Sequence, residues 1–585
     1  MLLRQKRNKD AGGLWARLRF PRWERALRPE LTLSAFAWLV ILFFIVYPVS
    51  LLVIDSFRVA STGRLGFQNY KAFFSDLYYF NTFVRTCLLS ALVLLTTTVL
   101  ALPLAYILAR YKLRGMTFFT ALTLLPIVLP AYAGAFAWVV FFGRFGTFNL
   151  LLMQWGLISK PLNLLGFPGL VIMQSLHLLP FMVLSLMAAY TSIDPALEEA
   201  AEVEGASGVR RFFTITLPLS TPSYLAGAVL VFLWPFTDWL TPLIFGVTDL
   251  LPTTAYINIA YHFTDVTRRY MGIVSVVMAS AVCVGAFLLL KTWVERKRYT
   301  GLSKGTLLGG RTIKPTFAVR MLSYLYVFFI SAIILIIPVV LALSGFSRRW
   351  VLTPFPRYWT LENFRLIFAE AGMLIYNSFR FTGVALLMGV SFGLLVAYLL
   401  ARTNAPGRAG LEFVNSLMLV FPGVAVGVAF LRAFWYGHGI PLATHWIIMP
   451  LALFVRRLPY FLRMAYAAYQ QLDPSLEEAA EVAGAGKFRT FATISVPLLL
   501  KGIFVGVIMF FIMAFQEIST AIFLYRGGWE TLPIGLYLNW HRGMEFGIAS
   551  AMAFLMVCIV FVLLAIAARI GGGILKVAWG ASGRD

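Results

Sequence analysis

Long apolar stretches, separated by shorter polar and basic ones, recur along the whole chain. A bilayer core about 30 Å thick needs roughly 20 mostly apolar residues in a helix. Stretches of that kind lie at 34–56, 84–109, 117–142, 168–190, 222–246 and 270–291. A second set lies at 321–344, 376–401, 411–435, 445–469, 501–525 and 547–570. The pattern predicts an all-α membrane protein of about twelve transmembrane helices. Lipid cannot satisfy exposed backbone N–H and C=O groups, so the spans must be helical or form a closed barrel. The stretches are too long and continuous for barrel strands.

Composition agrees. Of 585 residues, 60% are hydrophobic and 13% charged, whereas a soluble domain carries about a quarter charged residues. The net charge of +24 would suit nucleic acid, but its distribution argues otherwise: Lys and Arg lie between the apolar stretches, as the positive-inside bias and anionic lipid require. Residues 1–33, with nine Lys and Arg between Arg4 and Arg28, read as a cytoplasmic head. They contain no short apolar core ending in a cleavage site, so they do not read as a signal peptide. The basic linker 292–320 follows an even number of spans and falls on the same side, as do Arg110, Lys112 and Arg114. The tail 571–585 joins them, which places both termini in the cytoplasm of a multi-pass protein. Cys87, Cys283 and Cys558 fall in apolar runs and read as small hydrophobes; with five His, they offer no metal-cluster spacing.

The chain repeats itself. Asp194-Pro-Ala-Leu-Glu-Glu-Ala-Ala-Glu-Val-Glu-Gly-Ala206 returns 279 residues later as Asp473-Pro-Ser-Leu-Glu-Glu-Ala-Ala-Glu-Val-Ala-Gly-Ala485, identical at eleven of thirteen positions. Pro180 and Pro459, and Pro218 and Pro497, keep that offset. Upstream, Ala105-Tyr-Ile-Leu-Ala-Arg110 matches Ala397-Tyr-Leu-Leu-Ala-Arg402 at an offset of 292, shared by Pro130 and Pro422. The second copy is therefore 13 residues shorter between its third and fourth spans, in an outside loop where length drifts most easily. Two units follow, 34–291 and 321–570, with six spans each; the two repeats run parallel and are related by an axis along the membrane normal.

The repeated segments, 194–218 and 473–497, predict an elbow on the cytoplasmic face. Asp194 can cap a helix opened by Pro195; Glu198 and Glu199 suit its first turns; Ala200 and Ala201 allow close approach by another protein. Gly205 permits a break before a short helix with Arg210, Arg211 and Phe212. An ordinary solvated loop would leave the near-identity of two distant loops unexplained.

The pattern Glu199-Ala200-Ala201, Gly205, Ile215, Leu217-Pro218, with its second copy Glu478-Ala479-Ala480, Gly484, Ile494, Val496-Pro497, resembles the signature loop of ABC importer permeases, departing only by Val496 for Leu. The resemblance covers both halves and implies a type I importer with a MetI-like membrane fold, two permease units fused in one chain, in the bacterial inner membrane. It implies that the elbows dock on two copies of a separate ATP-binding subunit, which hold ATP and magnesium, with Glu199 and Glu478 among the contacts. It also implies a periplasmic solute-binding protein that delivers cargo. The fused arrangement is similar to ferric-iron permeases; relatives carry thiamine, polyamines, phosphonates or sugar phosphates. The chain has no phosphate-cradling loop of its own: Gly484-Ala485-Gly486-Lys487-Phe488 lacks the spacer and the hydroxyl that motif needs. No cofactor is expected within this chain.

Ionisable residues within spans are costly and mark candidate pathways. Asp238 and Glu517 are repeat equivalents in the fifth and eleventh expected spans, and two facing carboxylates would suit a hard cation such as Fe(III). Alternatively each pairs with an arginine or caps a kink beside Pro235. Arg456, Arg457 and His177, which aligns with Arg456, are counter-ions to these carboxylates or ligands for an anionic cargo. Trp138, Trp234, Trp239 and Trp446 read as an interfacial belt. Ferric iron is the favoured cargo, with an organophosphorus or sugar-phosphate anion next and thiamine or polyamine behind. A gradient-driven secondary transporter also has twelve helices in paired halves, but it would leave the elbows unexplained; a membrane-embedded enzyme finds no support in the spacing of His or Asp.

Overall fold

A computed structural model describes residues 29–59, 62–206, 208–262, 264–296, 312–435, 440–543 and 546–570. Most of the expected head, much of the basic linker and the tail lie outside the described residues. All named elements are helical. In the first half these are α1 Glu30–Ser56, α2 Gln68–Ser75, α3 Leu77–Arg110, α4 Met116–Val128, α5 Ala131–Phe142 and α6 Thr147–Gln154. Then come α7 Gly166–Ser192, α8 Pro195–Val203, α9 Leu217–Leu233, α10 Leu240–Ile244, α11 Leu251–Ala260 and α12 Val266–Arg296. The second half repeats the order: α13 Phe317–Gly345, α14 Glu362–Ala369, α15 Gly372–Arg402, α16 Arg408–Val420, α17 Gly423–Ala433, α18 Ile448–Gln471, α19 Pro474–Val482, α20 Val496–Phe515, α21 Ala521–Leu524, α22 Leu532–Gly543 and α23 Phe546–Ile570. The 13 residues missing from this half fall in the connection that holds α6 in the first half; among the described residues the second half has there the 3-10 turn Leu442–Thr444.

Among the described residues, nine helical stretches are long and apolar enough to cross a membrane, or eleven when each sharply bent pair counts as one. The difference from twelve has local causes. The expected span 117–142 is two helices, α4 and α5, and 411–435 is α16 and α17, bent by 113°. A proline drives the residue before it out of the helical region: Leu129 and Phe421, preceding Pro130 and Pro422, are extended at ψ 128° and 129°. The expected spans 222–246 and 501–525 end early, at Leu233 and Phe515, so Asp238 and Glu517 lie just beyond these helices rather than within them. At 24 residues α18 is long enough to span, yet it carries Arg456, Arg457 and Arg463.

The halves interlock. From the first half, α1 reaches across to α15, α16 and α17 and meets its own half at α2 and α12; α13 makes the reciprocal crossing to α3, α4 and α5, and packs on α23 of its own half. Two contacts fix the polarity of the bundle. Lys487 Nζ lies 2.9 Å from Glu30 Oε1, so the start of α1 adjoins the second elbow. Ile313 exchanges backbone hydrogen bonds with Arg110 and Lys112 beside the first. Asp55, at the far end of α1, therefore lies at the end of the bundle opposite the elbows. Trp138 and Trp239 are not belt residues: both are buried, and Trp239 stacks on Tyr256 at 3.7 Å between ring centres.

Candidate functional site

Both elbows are built as the local sequence dictates. The Asp194 carboxylate accepts from Ala196 N–H at 2.9 Å, and Asp473 accepts from Ser475 N–H at 3.0 Å. The latter bond holds the Asp473 carboxyl below its ordinary range. Each helix closes on a left-handed glycine, Gly205 at φ +82° and Gly484 at φ +87°. Their N–H groups donate to Glu202 O and Glu481 O, and those of Ala206 and Ala485 to Ala201 O and Ala480 O, a closure that a side chain with Cβ would strain. Of the residues expected to meet an ATPase, Glu199, Ala200, Gly205, Glu478, Ala479 and Gly484 are exposed, whereas Ala201 and Ala480 are half-buried.

Each elbow is bolted to the bundle by an ion pair that the sequence reading did not single out. Arg110, the last residue of α3, lies 2.8 Å from Glu198, and the side chains are 1% and 2% exposed. The Thr216 hydroxyl donates to the same carboxylate at 3.1 Å. The second half repeats this with Arg402, Glu477 and Ser495, at 14% exposure. All six residues fall on the two repeat offsets, and that coincidence was the available signal; the dipole role first given to Glu198 is secondary to this contact. Because Glu198 faces inward, Glu199 faces out. Outward too go three matched apolar pairs: Leu197 and Leu476, Val203 and Val482, Val209 and Phe488. Val203 and Val482 are 86% and 90% exposed. Apolar side chains thus stand at equivalent exposed sites on both elbows.

The candidate pathway residues are held within their own halves. Glu517 pairs with Arg456 at 3.1 Å and with Arg457, and it accepts from Thr520 N–H at 3.0 Å. Arg456 also donates to Phe421 O at 2.6 Å, and Thr520 Oγ1 to Gly423 O at 3.1 Å. Backbone groups freed where α16 breaks from α17 are thus re-satisfied by polar side chains, as a membrane interior demands. Asp238 accepts from Thr241 N–H at 3.1 Å and from Gln174 Nε2 at 3.2 Å. His177, at the position matching Arg456, packs on the Trp234 ring at 5.3 Å. Glu517→Gln is expected to destabilise the chain by about 3 kcal/mol, because two buried guanidinium groups lose their anion. Asp238→Asn should cost about 1 kcal/mol, the scale of a single hydrogen bond. Thermal unfolding in detergent measures both, and equal effects would contradict the asymmetry.

None of these five residues lines the large cavity between the halves. That cavity, of about 780 Å³, lies at the end opposite the elbows, among α1, α11, α12, α17 and α22. Its floor is a chain of hydrogen bonds that crosses the interface: Tyr256 Oη to Tyr537 Oη at 3.0 Å, Tyr537 Oη to Tyr261 Oη at 2.7 Å, and Tyr261 Oη to His541 Nε2 at 3.1 Å. Hydropathy could not indicate this phenol chain, because its residues come from the short helices α11 and α22 and the turn after α11.

A family profile described as the inner membrane component of binding-protein-dependent transport systems matches residues 101–299 and 389–575, once in each half. The chain is 26% identical over 545 residues to the ferric transport system permease protein FbpB of Actinobacillus pleuropneumoniae, covering 90% of this chain and 76% of that protein. It is 35% identical over 175 residues to the molybdenum transport system permease protein ModB of Escherichia coli K12, covering 27% of this chain and 76% of ModB. It is 29% identical over 204 residues to the spermidine/putrescine permease protein PotB of Haemophilus influenzae, covering 34% of this chain and 70% of PotB. With both halves matched, the chain belongs to the family of inner membrane components of binding-protein-dependent transport systems.

Proposed function

We propose that this multi-pass inner-membrane permease is the complete translocation pathway of an ATP-driven importer, with one ATP-binding subunit on each elbow and a solute-binding protein at the opposite end. The observation that carries this reading is the duplicated Arg–Glu–hydroxyl bolt. It makes each elbow an extension of α3 or α15, so that a push on the elbow is passed to the helices beneath. The exposed Glu199 and Glu478, with their matched apolar neighbours, supply the docking surface. Alternating access follows: closure of the ATPase pair draws the elbows together and rocks the halves about the cavity between them. Ferric iron is the cargo best supported, by the ferric transport relative that matches nearly the whole length; the molybdenum and polyamine relatives match only parts of the chain.

The test is reconstitution in liposomes with the ATPase and binding protein. Uptake is expected only with all three components and ATP, with the two ATPases recovered per permease chain. Uptake by the chain alone under a proton or sodium gradient would overturn the reading in favour of a secondary transporter.

A further inference from the structure

The interface cavity has a lopsided charge. Arg58, Arg269 and Arg432 line it, and an adjoining chamber that shares Trp435 and Phe523 adds Arg526. Among the described lining residues Asp55 is the one carboxylate, and it is already engaged: Arg432 donates to it, and Arg58 lies 3.7 Å away. Arg526 instead lies over the Trp435 ring, 5.5 Å from its centre. A bare trivalent cation entering here would meet, among the described lining residues, four guanidinium groups and one carboxylate that is already engaged. Among the described residues no group of three His, Cys, Asp or Glu gathers that could hold a metal. The phenols do not replace one, since Tyr256, Tyr261 and Tyr537 satisfy one another and His541.

The same features suit an oxyanion. Guanidinium groups offer paired N–H donors that fit carboxylate and phosphate oxygens, and a positive cleft with low-dielectric walls concentrates anions. The phenol chain adds aromatic faces along one side. A volume of about 780 Å³ is that of a small-molecule site, far more than a single desolvated ion fills. We propose that this chamber is the transit site for cargo bearing carboxylate or phosphate oxygens, so that any iron crosses inside an anionic chelate rather than as the free ion. The proposal rests on the importer reading and narrows its cargo.

Arg526 is the residue to change, because it has no carboxylate partner among the described residues that its loss would orphan. Titration calorimetry on the full chain in detergent would use ferric citrate, citrate, inorganic phosphate and glucose 6-phosphate as probes. A parallel arm would follow tyrosine-sensitised luminescence of aqueous Tb(III), a stand-in for a bare hard cation. Expected results are binding of at least one oxyanion, an approximately tenfold weaker Kd in Arg526→Gln, the loss of one charge-assisted hydrogen bond, near-native binding in Arg526→Lys, and no sensitised Tb(III) emission. The melting temperature of each variant checks its folding. Absence of oxyanion binding to the wild type, or Arg526→Glu binding the anions as tightly, would overturn the proposal. So would sensitised Tb(III) emission from the wild type. Uptake by the reconstituted complex separates the remaining questions. Uptake of labelled phosphate ester without labelled iron would remove the ferric cargo while supporting the chamber; uptake without ATP would remove the importer reading alone.

Discussion

Arg110→Ala is expected to be the most destabilising single replacement at the elbow end of the bundle. It leaves Glu198 as a buried carboxylate with only the Thr216 hydroxyl for company, and breaking such a pair costs about 3–5 kcal/mol. The half-matched Arg402→Ala should cost less, about 1.5–3 kcal/mol, because Arg402 and Glu477 retain some solvent. Removing both charges together, as Arg110→Met with Glu198→Leu, should recover much of the thermal stability, since a buried pair and an apolar pair of similar volume are close in energy. Transport should not recover with it, because the apolar pair no longer fixes the elbow to α3 in one geometry. The measurements are the unfolding temperature in detergent and uptake by the reconstituted complex. A single variant as stable as the wild type would remove the bolt from the account.

Glu199→Lys combined with Glu478→Lys is expected to abolish uptake while the chain inserts and melts normally. Both carboxylates are exposed and make no bond that holds the bundle together, so their reversal acts on a docking partner and not on the fold. Each substitution also puts a cation in the first turns of a helix, a small local penalty of about 0.3–1 kcal/mol that cannot account for complete loss. Co-purification of the ATPase should fail in the same variant. Normal uptake would refute the elbow as the coupling element.

The elbows were legible because their design is local. Asp194, Pro195 and Gly205 each act within a few residues, and capping, first-turn proline and left-handed glycine all appear where the pattern placed them. The repeat was legible for a different reason: two copies of one solution are compared within a single chain. The breaks in the spans were not read, although Pro130 and Pro422 had been noticed as repeat markers. Averaged hydropathy crosses a turn without registering it, and only the restriction that proline places on Leu129 and Phe421 shows there. The short α11 and α22 escaped for lack of length, and with them the interface cavity. Asp238 and Glu517 were seen as a symmetric couple. Their surroundings differ because Gln174 and His177 are answered in the second half by Leu453 and Arg456, a divergence that matters only once α7 and α18 are placed in space. The partnership of Arg110 with Glu198, 88 residues apart, is a tertiary contact that no window along the chain contains.

The crossed arms α1 and α13 bear on how the protein is made. When the ribosome has completed the first unit, α1 still lacks α15, α16 and α17, and the surface awaiting α13 is bare. Neither unit can reach its final packing until nearly the whole polypeptide has been inserted. Split genes for the two units would therefore give products that need each other during synthesis, and one unit expressed alone should be cleared by membrane proteases.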